Sequence, residues 1–356
     1  MVNPKPKKIL LSGNEAIAEG AIQAGCQFYA GYPITPQNEL TAYMAKHMPE
    51  NNRIFIQSES ETAAINMVYG ASAAGARAMT SSSSPGISLK QEGISYLAGA
   101  ELPAVIVNIM RAGPGLGNIW PSQADYFQAT RGGGHGDYRC IVLAPSSVQE
   151  AYGQMFKAFE LADKYRNPVM ILGDGLLGQM MEPVEIVKAE GLDAKYDKPW
   201  AVTGCKGRER NITKSFHMNE GDLEKANLIL QKKYAGIQKK EQDWEEFLIK
   251  DAKIVIVAYG SMARIAKGLV RKLRQGGMRI GLIRPVTLWP FPVKAFANRK
   301  PKVSNRKFLV VEMSYGQMVE DVRLSLEGSS KVEFLGRSGG GVLTQAQILR
   351  KIKALL

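Results

Sequence analysis

Ala104-Val105-Ile106-Val107-Asn108-Ile109-Met110-Arg111 is the stretch that decides how this chain folds. A run of aliphatic residues broken by a single asparagine reads as a strand in a sheet interior, covered on both faces. An arginine directly at its end is therefore notable. Working back from it, strand-like segments lie at residues 27–30, 53–57 and 77–80, with helical patterns between them. Each exits into polar residues: Thr35, then Glu61, then the run Ser81-Ser82-Ser83-Ser84. In an open parallel sheet, ligands bind in the crevice beyond the carboxyl ends of the strands. These strands therefore deliver a hydroxyl, a carboxylate, more hydroxyls and a guanidinium toward one edge of one sheet.

The alternation extends outward from there. Helical patterns cover residues 14–24, 37–47, 61–73, 89–100, 122–129 and 148–165, and further strands are expected at 140–143 and 168–172. The pattern predicts a doubly wound α/β domain over residues 1–190. From 191 to 250 the composition turns to charge, with Gly191, Pro199, Gly204 and Gly207 as breakers. Exposed helices are expected at 222–234 and 238–250, sharing an apolar stripe of Leu228, Leu230, Trp244 and Phe247. This stretch is taken as a connector. A smaller α/β unit follows over 251–356, with strands at 253–258, 279–283, 307–311 and 332–335, a helix at 262–275 and another at the C-terminus.

A chain of 356 residues suggests two domains with cores large enough to fold unaided. No apolar run approaches the length that crosses a bilayer. The basic start is followed only by Ile9-Leu10-Leu11 before Ser12, too short for a signal peptide. Cys26, Cys140 and Cys205 are isolated thiols without zinc, iron–sulfur or disulfide spacing, so a cytoplasmic protein is expected. The net charge of +13 concentrates late, at Arg264, Lys267, Arg271, Lys272 and Arg274, then at Lys294, Arg299, Lys300, Lys302, Arg306 and Lys307. Such a face attracts an acidic protein or an anionic ligand. No nucleic-acid module is present in the sequence.

Gly31-Tyr32-Pro33-Ile34-Thr35-Pro36 sets one hydroxyl between two prolines, which stiffen the turn. On these residues alone, Thr35 is either a held ligand group or a helix cap. Glu61 opens a helix of small and apolar residues. A carboxyl drawn into such an interior binds its proton more tightly, which suits acid–base work. Equally, Glu59 or Glu61 could complement the helix dipole. Arg111 has the fork geometry for a carboxylate. Gly113-Pro114-Gly115-Leu116-Gly117 lacks a dinucleotide fingerprint. Gly173-Asp174-Gly175 starts like the metal motif that holds the phosphates of thiamine diphosphate, but no asparagine pair follows it. Arg131-Gly132-Gly133-Gly134-His135-Gly136-Asp137 leaves a helix rather than opening one, so the dipole argument for anions does not apply.

Taken together, the chain resembles the α subunit of the multi-subunit 2-oxoacid:ferredoxin oxidoreductases. The marks are Gly13-Asn14-Glu15-Ala16, Tyr32-Pro33-Ile34-Thr35-Pro36, the Glu61 helix and Met79-Thr80-Ser81-Ser82-Ser83-Ser84-Pro85-Gly86. Later come Arg284-Pro285-Val286-Thr287-Leu288-Trp289-Pro290-Phe291-Pro292 and Glu312-Met313-Ser314-Tyr315-Gly316-Gln317-Met318. The resemblance implies a pyrimidine-binding thiamine diphosphate domain followed by a transketolase C-terminal-like domain. It implies that Glu61 hydrogen-bonds the cofactor's aminopyrimidine, favouring the imino tautomer that deprotonates the thiazolium ring. It implies that Thr35 and Arg111 hold the substrate's carboxylate and 2-oxo group. Gly113-Pro114-Gly115-Leu116-Gly117 and Ser122-Gln123-Ala124-Asp125 resemble the branched-chain members acting on 2-oxoisovalerate; 2-oxoglutarate members usually carry a Ser-Thr pair where this chain has Gly115-Leu116. By the same resemblance, diphosphate and Mg2+ binding fall to a β subunit, and [4Fe-4S] clusters to a ferredoxin-like subunit. A γ subunit, ferredoxin and coenzyme A complete the expected set. A transketolase-like or dehydrogenase subunit that passes no electrons to ferredoxin is the competing expectation, alongside pyruvate or 2-oxoglutarate as substrate.

Overall fold

The computed structural model describes residues 8–187, 197–297 and 306–356. Gly191, Arg299, Lys300 and Lys302 lie outside the described residues. The chain begins with β1 (Lys8–Ser12), α1 (Gly13–Gln23), β2 (Phe28–Gly31), α2 (Asn38–Glu50), β3 (Ile54–Gln57) and α3 (Glu61–Ala73). It continues through β4 (Ala78–Ser82), α4 (Ser84–Gly99), β5 (Ala104–Met110), α5 (Tyr126–Arg131), β6 (Ile141–Leu143) and α6 (Val148–Tyr165). Next are β7 (Pro168–Asp174), α7 (Gly175–Gln179), β8 (Met181–Glu185), α8 (Asp222–Lys240), β9 (Trp244–Phe247) and β10 (Ile254–Val257). The last elements are α9 (Gly260–Gln275), β11 (Ile280–Pro285), β12 (Thr287–Trp289), α10 (Lys294–Ala297), β13 (Lys307–Glu312), α11 (Met318–Leu326), β14 (Lys331–Gly336) and α12 (Gln345–Leu355). Among the described residues no helix is long and apolar enough to cross a membrane.

The six strands predicted for the first unit assemble in one sheet with β12, a strand the sequence did not announce, in the order β12-β6-β7-β5-β4-β2-β3. All its pairs are parallel except β12 with β6. The chain moves from β2 to β3 on one side, then crosses back to place β4 on the other side of β2. Strand order therefore reverses between β2 and β4, and the crevice of a doubly wound sheet opens at such a point. A second sheet of five, ordered β14-β13-β10-β11-β9, has its own reversal between β10 and β13. Both sheets have apolar strands buried on both faces, as covered parallel sheets require.

The second reversal is filled by protein. Gln123, from the first part of the chain, donates its amide to Met313 O (2.9 Å) and its Nε2 to Tyr259 O (3.0 Å). It accepts from Met313 N at Oε1 (3.0 Å) and from the Tyr259 hydroxyl at its carbonyl (3.1 Å). Beside it the buried Asp174 accepts from Ser261 Oγ at 2.8 Å. Replacing Gln123 by leucine strands a buried carbonyl and a buried amide, each costing about 1–3 kcal/mol. The expected result is a lower thermal unfolding midpoint for Gln123→Leu, read by calorimetry; an unchanged midpoint would mean that this plug does not hold the two sheets together.

One expected element is corrected. Residues 238–250 do not form a helix: α8 runs to Lys240, and Trp244–Phe247 is a strand. It pairs antiparallel with β11, Pro285 opposite Trp244 and Leu282 opposite Phe247, while Glu245 receives Arg284. The open edge of β11 offers backbone partners that no local pattern of Trp-Glu-Glu-Phe announces, and tertiary pairing overrides propensity there. Of the expected stripe, Leu230 is buried while Leu228 is exposed. Much of the basic cluster is neutralised internally, by Arg264 on Glu182, Lys267 on Glu245 and Arg274 on Asp251 (2.8 Å).

Candidate active site

The first reversal, between the ends of β2 and β4, is lined by polar side chains. The turn after β2 contains a cis Thr35–Pro36 peptide. It is gripped through its carbonyls, with Asn14 Nδ2 donating to Pro36 O at 2.7 Å and Arg111 Nη1 to Thr35 O at 3.0 Å. The buried Gln37 holds the turn to β4, accepting from Ser81 Oγ at 2.6 Å. Gln37, not Thr35, occupies the cap position of α2. Thr35 Oγ1 accepts only from Asn38 Nδ2 (3.2 Å) among the described residues, so its own proton is free for a ligand.

Arg111 is buried and lies against the same turn. Its second terminal nitrogen, Nη2, donates to Leu116 O at 3.0 Å, and its Nε has no partner among the described residues. The Gly113–Gly117 loop folds back to make this possible. At Gly117, φ is +60° and a Cβ would stand 1.7 Å from Ala112 O, so glycine is required. The Leu116 side chain turns outward and is 79% exposed.

Glu61 is only 6% exposed and opens α3, yet it does not cap it; Ser60 Oγ does, accepting from Ala63 N at 3.2 Å. Glu59 is exposed. No donor among the described residues hydrogen-bonds the Glu61 carboxylate, although a buried carboxylate ordinarily finds one. Gly86, in the first turn of α4, makes its space. A Cβ there would stand 2.5 Å from Glu61 Oε1 and 2.0 Å from Ser82 Oγ. Ser82 Oγ, Ser83 Oγ and Thr80 Oγ1 are also buried, without partners among the described residues. Carboxylate, hydroxyls and glycine cradle thus meet at the strand-order reversal.

Residues 19–234 match the family "Pyruvate flavodoxin/ferredoxin oxidoreductase, thiamine diP-bdg", and residues 252–348 match "Pyruvate:ferredoxin oxidoreductase core domain II". The chain belongs to this oxidoreductase family. It is 52% identical over 344 residues to ketoisovalerate oxidoreductase subunit VorB of Methanothermobacter thermautotrophicus, covering 97% of both chains. It is 37% identical over 375 residues to 2-oxoglutarate synthase subunit KorA of the same organism, covering 97% of this chain and 98% of that one. Among solved structures it resembles a 2-oxoglutarate:ferredoxin oxidoreductase from Magnetococcus marinus, bound to 2-oxoglutarate, coenzyme A and succinyl-CoA. That likeness has TM-score 0.88 and 25% identity, covering 99% of this chain and 66% of that one. A split-gene transketolase shares the fold alone, at TM-score 0.59 and 15% identity.

For a member of this oxidoreductase family, the fit of an aminopyrimidine to the crevice can be judged from the residues present. A carboxylate without an internal donor, orphaned hydroxyls and a glycine clearing the approach are the complement of a flat ring edge with nitrogen donors and acceptors. The fit is good.

Other groups here were not singled out by the sequence. Lys90 on α4 is fully buried, and its Nζ donates to Glu61 O at 3.3 Å. Burial pushes its amine down to about 8, with Glu61 opposing the fall. Asp125 accepts from Ser84 Oγ (2.6 Å) and Asn108 Nδ2 (2.9 Å). Burial pushes its carboxyl up while those two donors pull it down. The lone asparagine in β5 was the available signal for Asp125, and a lysine four residues after Gly86 on one helix face was the signal for Lys90. The Gly173-Asp174-Gly175 motif holds protein instead, since Asp174 caps α7 through Leu176 N and Leu177 N and grips Ser261. His135 is exposed on its loop and edge-on to Tyr96.

Proposed function

We propose that this chain is the α-type subunit of a cytoplasmic oxidoreductase that takes a branched-chain 2-oxoacid, first of all 2-oxoisovalerate, with coenzyme A. The products are acyl-CoA, carbon dioxide and reduced ferredoxin. The observation that carries the reading is the Glu61 carboxylate, buried at the strand-order reversal without a donor of its own. The substrate class follows the relatives: 52% identity to a ketoisovalerate oxidoreductase subunit against 37% to a 2-oxoglutarate synthase subunit.

Thiamine diphosphate, when bound, supplies the carbon nucleophile that retains the electron pair left by decarboxylation. Glu61 holds the aminopyrimidine edge and takes or returns a proton at its ring nitrogen. Thr35 offers its free hydroxyl proton, and Arg111 its guanidinium, to the 2-oxoacid's carboxylate and carbonyl. Ser82 and Ser83 complete the polar wall. On this reading residues 1–190 form the pyrimidine-binding unit, 191–250 a connector and 251–356 the transketolase C-terminal-like unit.

The remaining parts are assigned to partners: the diphosphate and Mg2+ to a β subunit, [4Fe-4S] clusters to a ferredoxin-like subunit, and a γ subunit to complete the assembly. The loop over Arg111 supports a covered site, because Trp120 is 62% exposed with Leu116 and Ile119 exposed beside it. Large apolar groups left bare around a polar crevice mark a surface that a partner covers.

The test is coenzyme A-dependent viologen reduction by the native complex with 2-oxoisovalerate, 2-oxoglutarate and pyruvate. The expected result is the highest kcat/KM on 2-oxoisovalerate. Preference for 2-oxoglutarate or pyruvate would overturn the substrate, and no low-potential electron transfer from the cofactor-loaded complex would overturn the oxidoreductase reading.

A further inference from the structure

A fully buried lysine demands a reason, because an ammonium in an apolar interior is held at a cost unless it is compensated. Lys90 lies at the α3–α4 contact. On the same face of α4, Gly86 abuts the Glu61 carboxylate and Gly93 abuts Ile65, one turn further along α3. Its single hydrogen bond runs to the carbonyl of Glu61, at 3.3 Å, and no carboxylate forms an ion pair with it among the described residues. An ammonium has three donors, so Lys90 sits as a nearly naked charge directly beneath Glu61.

Of the other titratable groups around this contact, Tyr69 on α3 is half-buried and its burial keeps the phenol neutral; the rest have partners of their own or face solvent. Tyr29 on β2 bonds Ser81 and Thr41, and Arg111 after β5 bonds Thr35 and Leu116. Asp125 bonds Ser84 and Asn108, and Asp174 at the end of β7 bonds Ser261. On α4 itself Glu92 bonds Tyr96, while Glu59 before α3 is exposed. Lys90 and Glu61 are the two charges left facing each other.

We propose that Lys90 is a positioning residue for Glu61: its ammonium compensates the carboxylate's charge from below, through the Glu61 carbonyl, and leaves both carboxylate oxygens free toward the crevice. A contact ion pair would occupy those oxygens; the observed arrangement does not. The consequence for a ligand follows from acceptor chemistry. A carboxylate is acceptor-only, and so is the lone pair of an aminopyrimidine ring nitrogen. One proton must lie between them, and with Glu61 held as the anion that proton is drawn from solvent on binding. Without the ammonium, an isolated buried carboxyl neutralises itself by taking up a proton beforehand.

This inference rests on Glu61 receiving the aminopyrimidine, and the experiment separates the two. Thiamine diphosphate is rebound to the stripped native complex at pH 7 in buffers of different ionisation enthalpy, and calorimetry reads the protons taken up. Two neutral variants are compared: Lys90→Met, which fills the volume, and Lys90→Gln, which keeps a donor for the Glu61 carbonyl. Glu61→Gln gives the baseline for proton exchange by the diphosphate itself. Above that baseline, wild type is expected to take up about one proton, and both neutral variants measurably less. Wild-type uptake in both neutral variants, with uptake lost in Glu61→Gln, would overturn the role of Lys90 and leave Glu61 in place. Wild-type uptake in Glu61→Gln would overturn Glu61 as the pyrimidine's partner, and Lys90 with it.

Discussion

Glu61→Gln, assembled with its native partners, is expected to lose roughly 10²–10⁴-fold in kcat, the usual weight of a positioned acid–base group. The amide is nearly isosteric with the carboxylate, and no internal hydrogen bond to the carboxylate is lost. Ser60 keeps the cap of α3, bonding Ala63 N at 3.2 Å. The fold should therefore survive, and the loss should appear in turnover with little change in thermal unfolding. The approach past Gly86 stays open as well, because the amide fills the same volume against Ser82. A glutamine variant that turns over at the wild-type rate would mean that this carboxylate handles no proton in the reaction.

Arg111→Met is the second large effect, and it should fall on the substrate rather than on the cofactor. Removing a buried, hydrogen-bonded charge partner costs about 2–5 kcal/mol, so kcat/KM for the 2-oxoacid should drop by roughly 30- to 4,000-fold. Arg111 also ties Thr35 O and Leu116 O together, each at 3.0 Å, so the Gly113–Gly117 loop should become more open to proteolysis. Thiamine diphosphate affinity should change little, because the cradle of Glu61, Ser82 and Gly86 belongs to other elements. Equal losses in cofactor and substrate binding would place Arg111 as a support of the whole crevice instead of a substrate ligand.

The two strand-order reversals differ in how their polar groups are satisfied. Both sheets create a crevice of the kind that takes ligands. In the five-stranded sheet the Gln123 side chain and backbone satisfy the exposed groups of Tyr259 and Met313. In the seven-stranded sheet the buried hydroxyls of Ser82, Ser83 and Thr80 have no partner among the described residues. Buried polar atoms seldom stay unpaired, so the second arrangement calls for a ligand and the first does not. The second unit accordingly works as a clamp, with β12 reaching across to pair with β6 in the first sheet.

How much of this was legible beforehand depends on the range of the signal. That Thr35, Glu61 and Arg111 lie toward one edge of the sheet could be read from the sequence, because each stands at a strand exit and successive parallel strands send their exits to one edge by construction. Strand β5 and helices α3 and α6 were bounded correctly because long apolar or periodic runs carry their own local instruction. The sequence by itself thus determined the layering of the first sheet and which edge carries the polar groups. Tertiary structure alone decided the rest. That Ser60 and Gln37 take the cap positions, freeing Glu61 and Thr35, depends on backbone geometry at α3 and α2. Strand β9 exists because β11 has an open edge, and the Gln123 plug and the β12 crossover join segments more than a hundred residues apart. The burial of Lys90 beneath Glu61 is of the same kind: a lysine in a helix is solvated by default, and only the close approach of α3 and α4 at Gly86 and Gly93 takes its charge out of water.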